Sequence, residues 1–164
     1  MYKRQGKNDL LVASGGNEYF NESTYLLSRL YLNVGGGVLE KKEDAFDKIF
    51  LTASCAVPHD LNGDGHLDLF LGARAVPWKY GNTPQSYLLL NDGTGKFKDV
   101  TNQYHKDLGN VGMVMDAKWT DLNGDKKEDL VVATEWGPIV GFIQEGKEFR
   151  KVTLTEEHLS LIHI

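Results

Sequence analysis

The 164-residue sequence predicts an all-β fold built from small four-stranded antiparallel sheets that stack as the blades of a β-propeller. The first observation behind this prediction is a repeat: the segment 60–69, DLNGDGHLDL, recurs as 121–130, DLNGDKKEDL. The second is that short apolar stretches and glycine-rich turns follow each copy, while no stretch sustains a helical period. Because a small sheet has two faces to bury, successive copies must stack on one another.

Each repeat predicts its strands in the same order after the acidic loop. In the copy that begins at Asp60, the apolar stretches are 69–73, 87–91, 97–100 and 114–119, and the last leads into the next acidic loop. The turn 91–95, NDGTG, has the composition that closes a hairpin. Equivalent stretches in the flanking repeats are 10–14, 30–33, 52–57, 130–134 and 149–152. The sequence therefore predicts one small sheet per repeat.

This repeat divides the chain into four parts. Residues 1–59 are predicted as a partial first blade with a lead-in strand, 60–120 as the second blade, and 121–158 as a third, incomplete blade. The segment 159–164, LSLIHI, reads like a translated sequencing adapter and is interpreted as an artefact. A propeller closes with about four to eight blades, so we expect a piece of a larger ring whose remaining blades are its partners. A compact sandwich of roughly ten strands is the alternative.

The composition excludes several classes of protein. A net charge of −5 provides no electrostatic footprint for a nucleic-acid backbone. No apolar run approaches the roughly 20 residues of a membrane-spanning helix. The single cysteine, Cys55, excludes an internal disulfide and a thiolate zinc cluster, and it is predicted as a buried small apolar residue. The sequence contains no nucleophile-elbow serine, Walker loop or His-Glu-x-x-His motif.

The acidic loops place side-chain oxygens at loop positions 1, 3, 5 and 9 and a backbone carbonyl at position 7. Calcium takes about six to eight oxygen ligands of this kind in flexible geometry. An EF-hand would need a glutamate at position 12, where these loops have Leu71 and Val132, so we expect calcium loops that lead into a β-strand. The alternative is that both loops are only Asn-Gly and Asp-Gly turns held by side-chain-to-backbone hydrogen bonds.

Two calcium sites are predicted. The first has as its ligands Asp60, Asn62, Asp64, Asp68 and the backbone carbonyl of His66. The second has Asp121, Asn123, Asp125, Asp129 and the backbone carbonyl of Lys127. Lys126 stands where the first loop has Gly65, so a positive φ there would cost about 1 kcal/mol and we expect weaker binding. The third copy, around Asp9, has Met1 and Gln5 at ligand positions and is not predicted to bind.

Longer segments of the chain carry a resemblance to a known family; they are 11–18, 29–33, 68–77, 86–93, 112–114 and 116–121. The repeats resemble FG-GAP/VCBS repeats, the calcium-loop blades also found in integrin α-chain propellers. The chain is more closely similar to bacterial cartilage-acidic-protein-like proteins of the ASPIC/UnbV type. This resemblance implies a propeller of about seven blades with calcium at each loop, in a secreted, periplasmic or surface-anchored bacterial protein. Val34, Lys126 and the missing first loop depart from the family pattern.

The insertion 77–85, PWKYGNTPQ, is the one feature of the sequence that looks like a binding surface. Trp78 and Tyr80, with Arg74 and Lys79 nearby, could stack on a sugar ring or anchor a protein partner. Alternatively, these aromatic side chains only cover the edge of the blade. The sequence thus favours a non-catalytic, calcium-binding adhesion or ligand-binding module whose protein or glycan ligand is unidentified. The alternatives are a glycan hydrolase or lyase built on the same ring, and a purely structural part of a larger surface protein.

Overall fold

The chain is nearly all β, with 47% of residues in strands and 5% in helices, which confirms the predicted fold class. The structure is a computed structural model that describes residues 2–4, 7–19 and 21–154. The segment 159–164 therefore lies outside the described residues. Within the described ranges, the helices are a single 3-10 turn at Thr24–Leu26 and a short helix α1 at Thr101–Tyr104. No helix in this part of the chain has the length and apolar character of a membrane span.

The strands of the described residues form three antiparallel sheets of four strands each, and each sheet follows chain order. The first sheet contains β1 (Tyr2–Arg4), β2 (Lys7–Val12), β3 (Arg29–Gly35) and β4 (Val38–Lys42). The second contains β5 (Thr52–His59), β6 (Asp68–Ala75), β7 (Tyr87–Asn91) and β8 (Phe97–Asp99). The third contains β9 (Val114–Thr120), β10 (Asp129–Thr134), β11 (Val140–Glu145) and β12 (Glu148–Thr153).

The strand pairing differs from the grouping predicted from the repeats. The strand at 114–119 was expected to end the second blade, and the strand at 52–57 was expected to lead in from the first. Instead, β5 pairs with β6 and β9 pairs with β10, so the second and third sheets each begin one strand before their acidic loop. The reason is that each acidic loop closes a hairpin between antiparallel neighbours. Consequently the third sheet, predicted to be incomplete, has four strands within the described residues.

The three sheets stack face to face, as consecutive propeller blades do. Side chains alternate along β6, because Leu69 and Leu71 pack toward the first sheet while Phe70 packs toward the third. Within the third sheet, Leu130 and Val132 face the second sheet and are fully buried. Equivalent positions of successive repeats therefore bury the same face.

The close approach of the second and third sheets requires a glycine in β6. A Cβ atom at Gly72 would lie 2.6 Å from Cγ1 of Val114 and 2.7 Å from Sγ of Cys55. No ordinary side chain fits between these two neighbours without moving them. Cys55 itself is half-buried and packs against the core between the two sheets, close to the predicted role of a small apolar residue.

Candidate functional site

The first acidic loop is organised by the carboxylate of Asp60, which begins it. Oδ1 of Asp60 accepts hydrogen bonds from the backbone N–H groups of Gly63 and Asp64 at 2.9 and 3.1 Å, and Oδ2 accepts one from Gly65 at 2.9 Å. The side chain of Asn62 adds two more bonds: its Oδ1 accepts from the backbone N–H of Asp64 at 3.0 Å, and its amide donates to Oδ2 of Asp64 at 2.9 Å. The loop is therefore a set of nested Asx turns.

The second acidic loop repeats this geometry bond for bond. The carboxylate of Asp121 accepts from Gly124 at 2.7 Å, from Asp125 at 3.2 Å and from Lys126 at 2.9 Å. The backbone N–H of Lys127 donates to Oδ1 of Asp125 at 2.8 Å, as that of His66 does to Asp64 in the first loop. These backbone donors, with Lys126 first, hold the pKa of the Asp121 carboxyl below its ordinary value.

The sixth loop position adopts the left-handed conformation in both loops. Gly65 has a φ of 84° and Lys126 a φ of 69°. Glycine adopts this conformation without steric cost, whereas for lysine the Cβ atom makes it unfavourable. The positive φ expected at Lys126 from the sequence is thus present, and the second loop follows the same path with a strained residue.

The aspartate at loop position 9 is buried in both loops. Asp68 is 1% exposed; its Oδ2 accepts from the backbone N–H of Leu61 at 2.9 Å and its Oδ1 from that of Asn91 at 2.8 Å. Burial raises the pKa of the Asp68 carboxyl, and repulsion from Asp64 and Asp60 adds to this effect. The ionised form is therefore disfavoured where it lies, and a nearby cation would relieve that cost.

A partner for this buried aspartate was missed in the sequence, and it recurs in all three sheets. The residue that ends the second apolar stretch donates its backbone N–H to Oδ1 of the aspartate, at 2.7 to 2.8 Å. The pairs are Asn33 with Asp9, Asn91 with Asp68, and Gln144 with Asp129. The repeated Leu-Asn ending of the segments 30–33 and 87–91 was the available signal.

All ten predicted calcium ligands lie in these two loops, and their oxygens are of the kind that calcium accepts. A nearby cation would also stabilise the ionised form of the buried Asp68 carboxyl, whose pKa is raised by burial. However, the carboxylates of Asp60 and Asp64 are directed at loop N–H groups, which is the turn geometry of the alternative interpretation. In the part of the chain that the structure describes, no three Asp, Glu, His or Cys side chains converge as a metal site. Calcium binding therefore stays a prediction.

A second cluster of predicted residues lies where β6 and β10 end. Here the guanidinium of Arg74 contacts the sulfur of Met115 and lies 3.5 Å from Oε2 of Glu135. The hydroxyl of Tyr80 donates to Oε1 of Glu135, a bond that raises the pKa of Tyr80. The ring of Tyr80 meets that of Trp136 edge to face, with centroids 5.4 Å apart. The insertion of the second sheet thus packs against the third.

We refer to the side chains of this cluster as the aromatic patch: Trp78, Tyr80, Met115 and Trp136, with the pair Arg74 and Glu135. Trp78 and Trp136 are 70% and 69% exposed, so the rings do not simply cover the edge of a blade. Lys79 is exposed beside the patch and forms no ion pair with any described residue. Met115, Glu135 and Trp136 were missed, because their approach to the insertion depends on how two blades pack.

The comparisons with known proteins agree with this architecture. The family model described as an FG-GAP-like repeat matches residues 60–132, from the start of the first acidic loop into β10. No curated protein and no solved structure matches the chain. The stacked four-stranded sheets define a module built from propeller blades. Over residues 60–132 the match supports the resemblance to FG-GAP repeats that the acidic loops implied.

Proposed function

We propose that this chain is a non-catalytic, calcium-binding part of a β-propeller, and that it binds a ligand outside the cell or at a bacterial cell surface. The observation that carries the proposal is that both acidic loops have the same oxygen-bearing side chains at the same positions, with a buried aspartate at position 9. The ASPIC/UnbV-type resemblance supports an extracellular, periplasmic or surface location.

In each loop, calcium would be held by the four predicted side chains and by the carbonyl at position 7. Bound calcium supplies positive charge that offsets the repulsion among the clustered carboxylates. Asp60 and Asp121 position the loop backbone through their hydrogen bonds, and the buried Asp68 ties the first loop to the second sheet. Calcium therefore acts as a structural element of the blades.

The test is thermal unfolding of the whole chain in calcium and in chelator. Extracellular modules bind calcium with dissociation constants of roughly 10⁻⁴ to 10⁻³ M. Calcium at 100 times the dissociation constant adds about 2.7 kcal/mol per site to the free energy of unfolding. We expect a clear rise in Tm with calcium and none with an equal concentration of magnesium, which controls for ionic strength. An unchanged Tm would contradict the proposal.

Two matched variants locate the effect. Asp64→Asn removes a ligand charge while keeping an oxygen that accepts from His66, so the calcium-dependent rise in Tm should shrink. Asp47→Asn makes the same change at an exposed aspartate outside both loops and should leave the rise intact. An equal loss in both variants would show that calcium acts through general charge and not through the loop.

A further inference from the structure

The aromatic patch lies at the end of the sheets opposite to the acidic loops. β6 begins with Asp68 at the first acidic loop and carries Arg74 near its other end. β10 begins with Asp129 at the second acidic loop and is followed directly by Glu135, which pairs with Arg74. The patch is therefore separate from the candidate calcium sites.

The patch is assembled from several segments that are distant in the sequence. Tyr80 and Trp78 come from the insertion after β6, Met115 from β9, and Trp136 from the residues that follow β10. Asn17, in the segment after β2, accepts a hydrogen bond of 2.8 Å from the backbone N–H of Trp78. Residues of all three repeats thus fix the positions of the exposed rings.

Trp78 adopts a backbone conformation that is unusual for a bulky residue. Its φ is 61°, in the left-handed region, although the side chain is 70% exposed and gains little from packing. Such strain costs about 1–3 kcal/mol and concentrates at ligand-binding sites, where the surrounding structure maintains it. In this loop the backbone N–H of Trp78 donates to Oδ1 of Asn17, which helps to hold the strained backbone.

The charged side chains Arg74 and Glu135 of the patch face each other, and Oε2 of Glu135 is buried and accepts no hydrogen bond from a described residue. Arg74 pairs with Glu135, and the same carboxylate accepts the hydroxyl hydrogen of Tyr80. What remains exposed is a set of aromatic faces with no net charge, apart from Lys79 at the margin. This surface offers no complementarity to a strongly charged partner.

The size of the patch favours a small ligand. Its four exposed apolar side chains present on the order of 500 Å², taking about 150–250 Å² for each large aromatic side chain. A stable protein partner covers about 800 Å² on each side. A neutral ring with one apolar face and several hydroxyl groups matches both the area and the lack of charge, because its face stacks on an indole while hydroxyls meet the polar rim.

We infer that the aromatic patch binds a neutral saccharide, with the rings of Trp136 and Trp78 as stacking platforms and with Glu135 and Arg74 as positioning residues for Tyr80. This inference specifies the class of ligand, and it rests on the part of the proposed function that says the chain binds a ligand. It does not depend on calcium.

The experiment titrates the whole chain with cellohexaose, maltohexaose and N-acetylated chitohexaose, observed by saturation-transfer NMR. We expect saturable binding of at least one of the three. Trp136→Ala should weaken that binding at least tenfold, and Trp136→Phe, which keeps an aromatic face, should retain it within about threefold. Val38→Ala removes apolar surface from an exposed residue of the first sheet and should change nothing.

The inference would be overturned by binding of none of the three saccharides, or by an equal affinity in wild type and Trp136→Ala. Polygalacturonate is titrated in the same way as an acidic saccharide. If it alone binds, the ligand is not a neutral saccharide, and the contact with its carboxylates is assigned to Lys79. Because Trp136 is exposed, each variant should keep the wild-type Tm, which is measured on the same sample. If calcium raises Tm but no saccharide binds, only this inference fails; if a saccharide binds without a calcium effect, the calcium proposal fails alone.

Discussion

Gln144 donates a hydrogen bond from its side-chain amide to the backbone carbonyl of Leu61, at 3.0 Å, and so joins the third sheet to the acidic loop of the second. The backbone N–H of Gln144 donates to Asp129, and the N–H of Leu61 donates to Asp68. A single side chain therefore connects the buried aspartates of both loops. In the other two repeats the equivalent residue is a shorter asparagine, whose amide donates to a backbone carbonyl of its own repeat instead.

Replacing Gln144 should loosen the first acidic loop although the substitution lies in the third sheet. Gln144→Ala leaves the Leu61 carbonyl without its partner, which should cost about 1 kcal/mol of unfolding free energy. Urea unfolding measures the cost, and hydrogen exchange should show faster exchange at residues 61–66. Gln103→Ala, at an exposed glutamine of α1, is the matched control. Equal stability and exchange in both variants would show that the bridge does not hold the loop.

The fold class and the loop conformation were predictable because both depend on local sequence. The repeated acidic segment fixed where the blades recur, and the residue at position 6 correctly indicated a positive φ at Lys126. The assignment of strands to sheets was not predictable in this way. An eight-residue connection such as 60–67 fits either a hairpin or a crossing between blades, and only the pairing of His59 with Asp68 decides between them.

The contacts that build the aromatic patch could not be predicted from the sequence for a different reason. Arg74 and Glu135 are 61 residues apart, and nothing in either segment specifies the other. Their meeting depends on the packing of one sheet on the next, which is set by residues such as Gly72 and Val114. Sequence patterns report the face of a strand but not its neighbour across a blade interface.

Lys126→Gly should relieve backbone strain and strengthen calcium binding at the second loop. Lys48, with a φ of 46°, lies outside both acidic loops and offers a matched control of the same residue type. In both Lys→Gly variants, relief of strain should raise the free energy of unfolding by up to about 1 kcal/mol. The greater entropy of the unfolded chain should partly offset this gain. Only Lys126→Gly also removes positive charge beside the carboxylates, which should raise calcium affinity roughly threefold to tenfold. Isothermal titration calorimetry measures the affinity, and equal affinities in the two variants would contradict the prediction.

Cys55 should react slowly with thiol reagents in the folded protein. Burial raises the pKa of its thiol, with the charge of Asp116 adding to the effect, so little thiolate is present near neutral pH. Because the thiolate is the reactive form, labelling by a disulfide reagent at pH 8 should be at least tenfold slower in native protein than in urea. The fully unfolded chain is the internal control. Equal rates in buffer and in urea would show that the second and third sheets do not enclose the thiol.

Two leucines at equivalent positions test which faces of the sheets carry the stability. Leu69 and Leu10 each follow the position-9 aspartate of their repeat, but Leu69 is 2% exposed against the first sheet and Leu10 is 45% exposed. Leu69→Ala should therefore cost about 2–5 kcal/mol of unfolding free energy, through lost burial and the cavity that remains. Leu10→Ala should change it by no more than about 0.5 kcal/mol.

Urea unfolding of the two variants side by side measures this difference. The change of side chain is identical and both leucines occupy central strands, so intrinsic strand propensity cancels in the comparison. A large loss in Leu69→Ala alone would attribute the stability to the contact between the first two sheets, where Leu69 packs with Leu30 and Leu89. Equal losses would mean that the face carrying Leu10 is also covered in solution, and the measured stability would then depend on protein concentration if a second copy covers it.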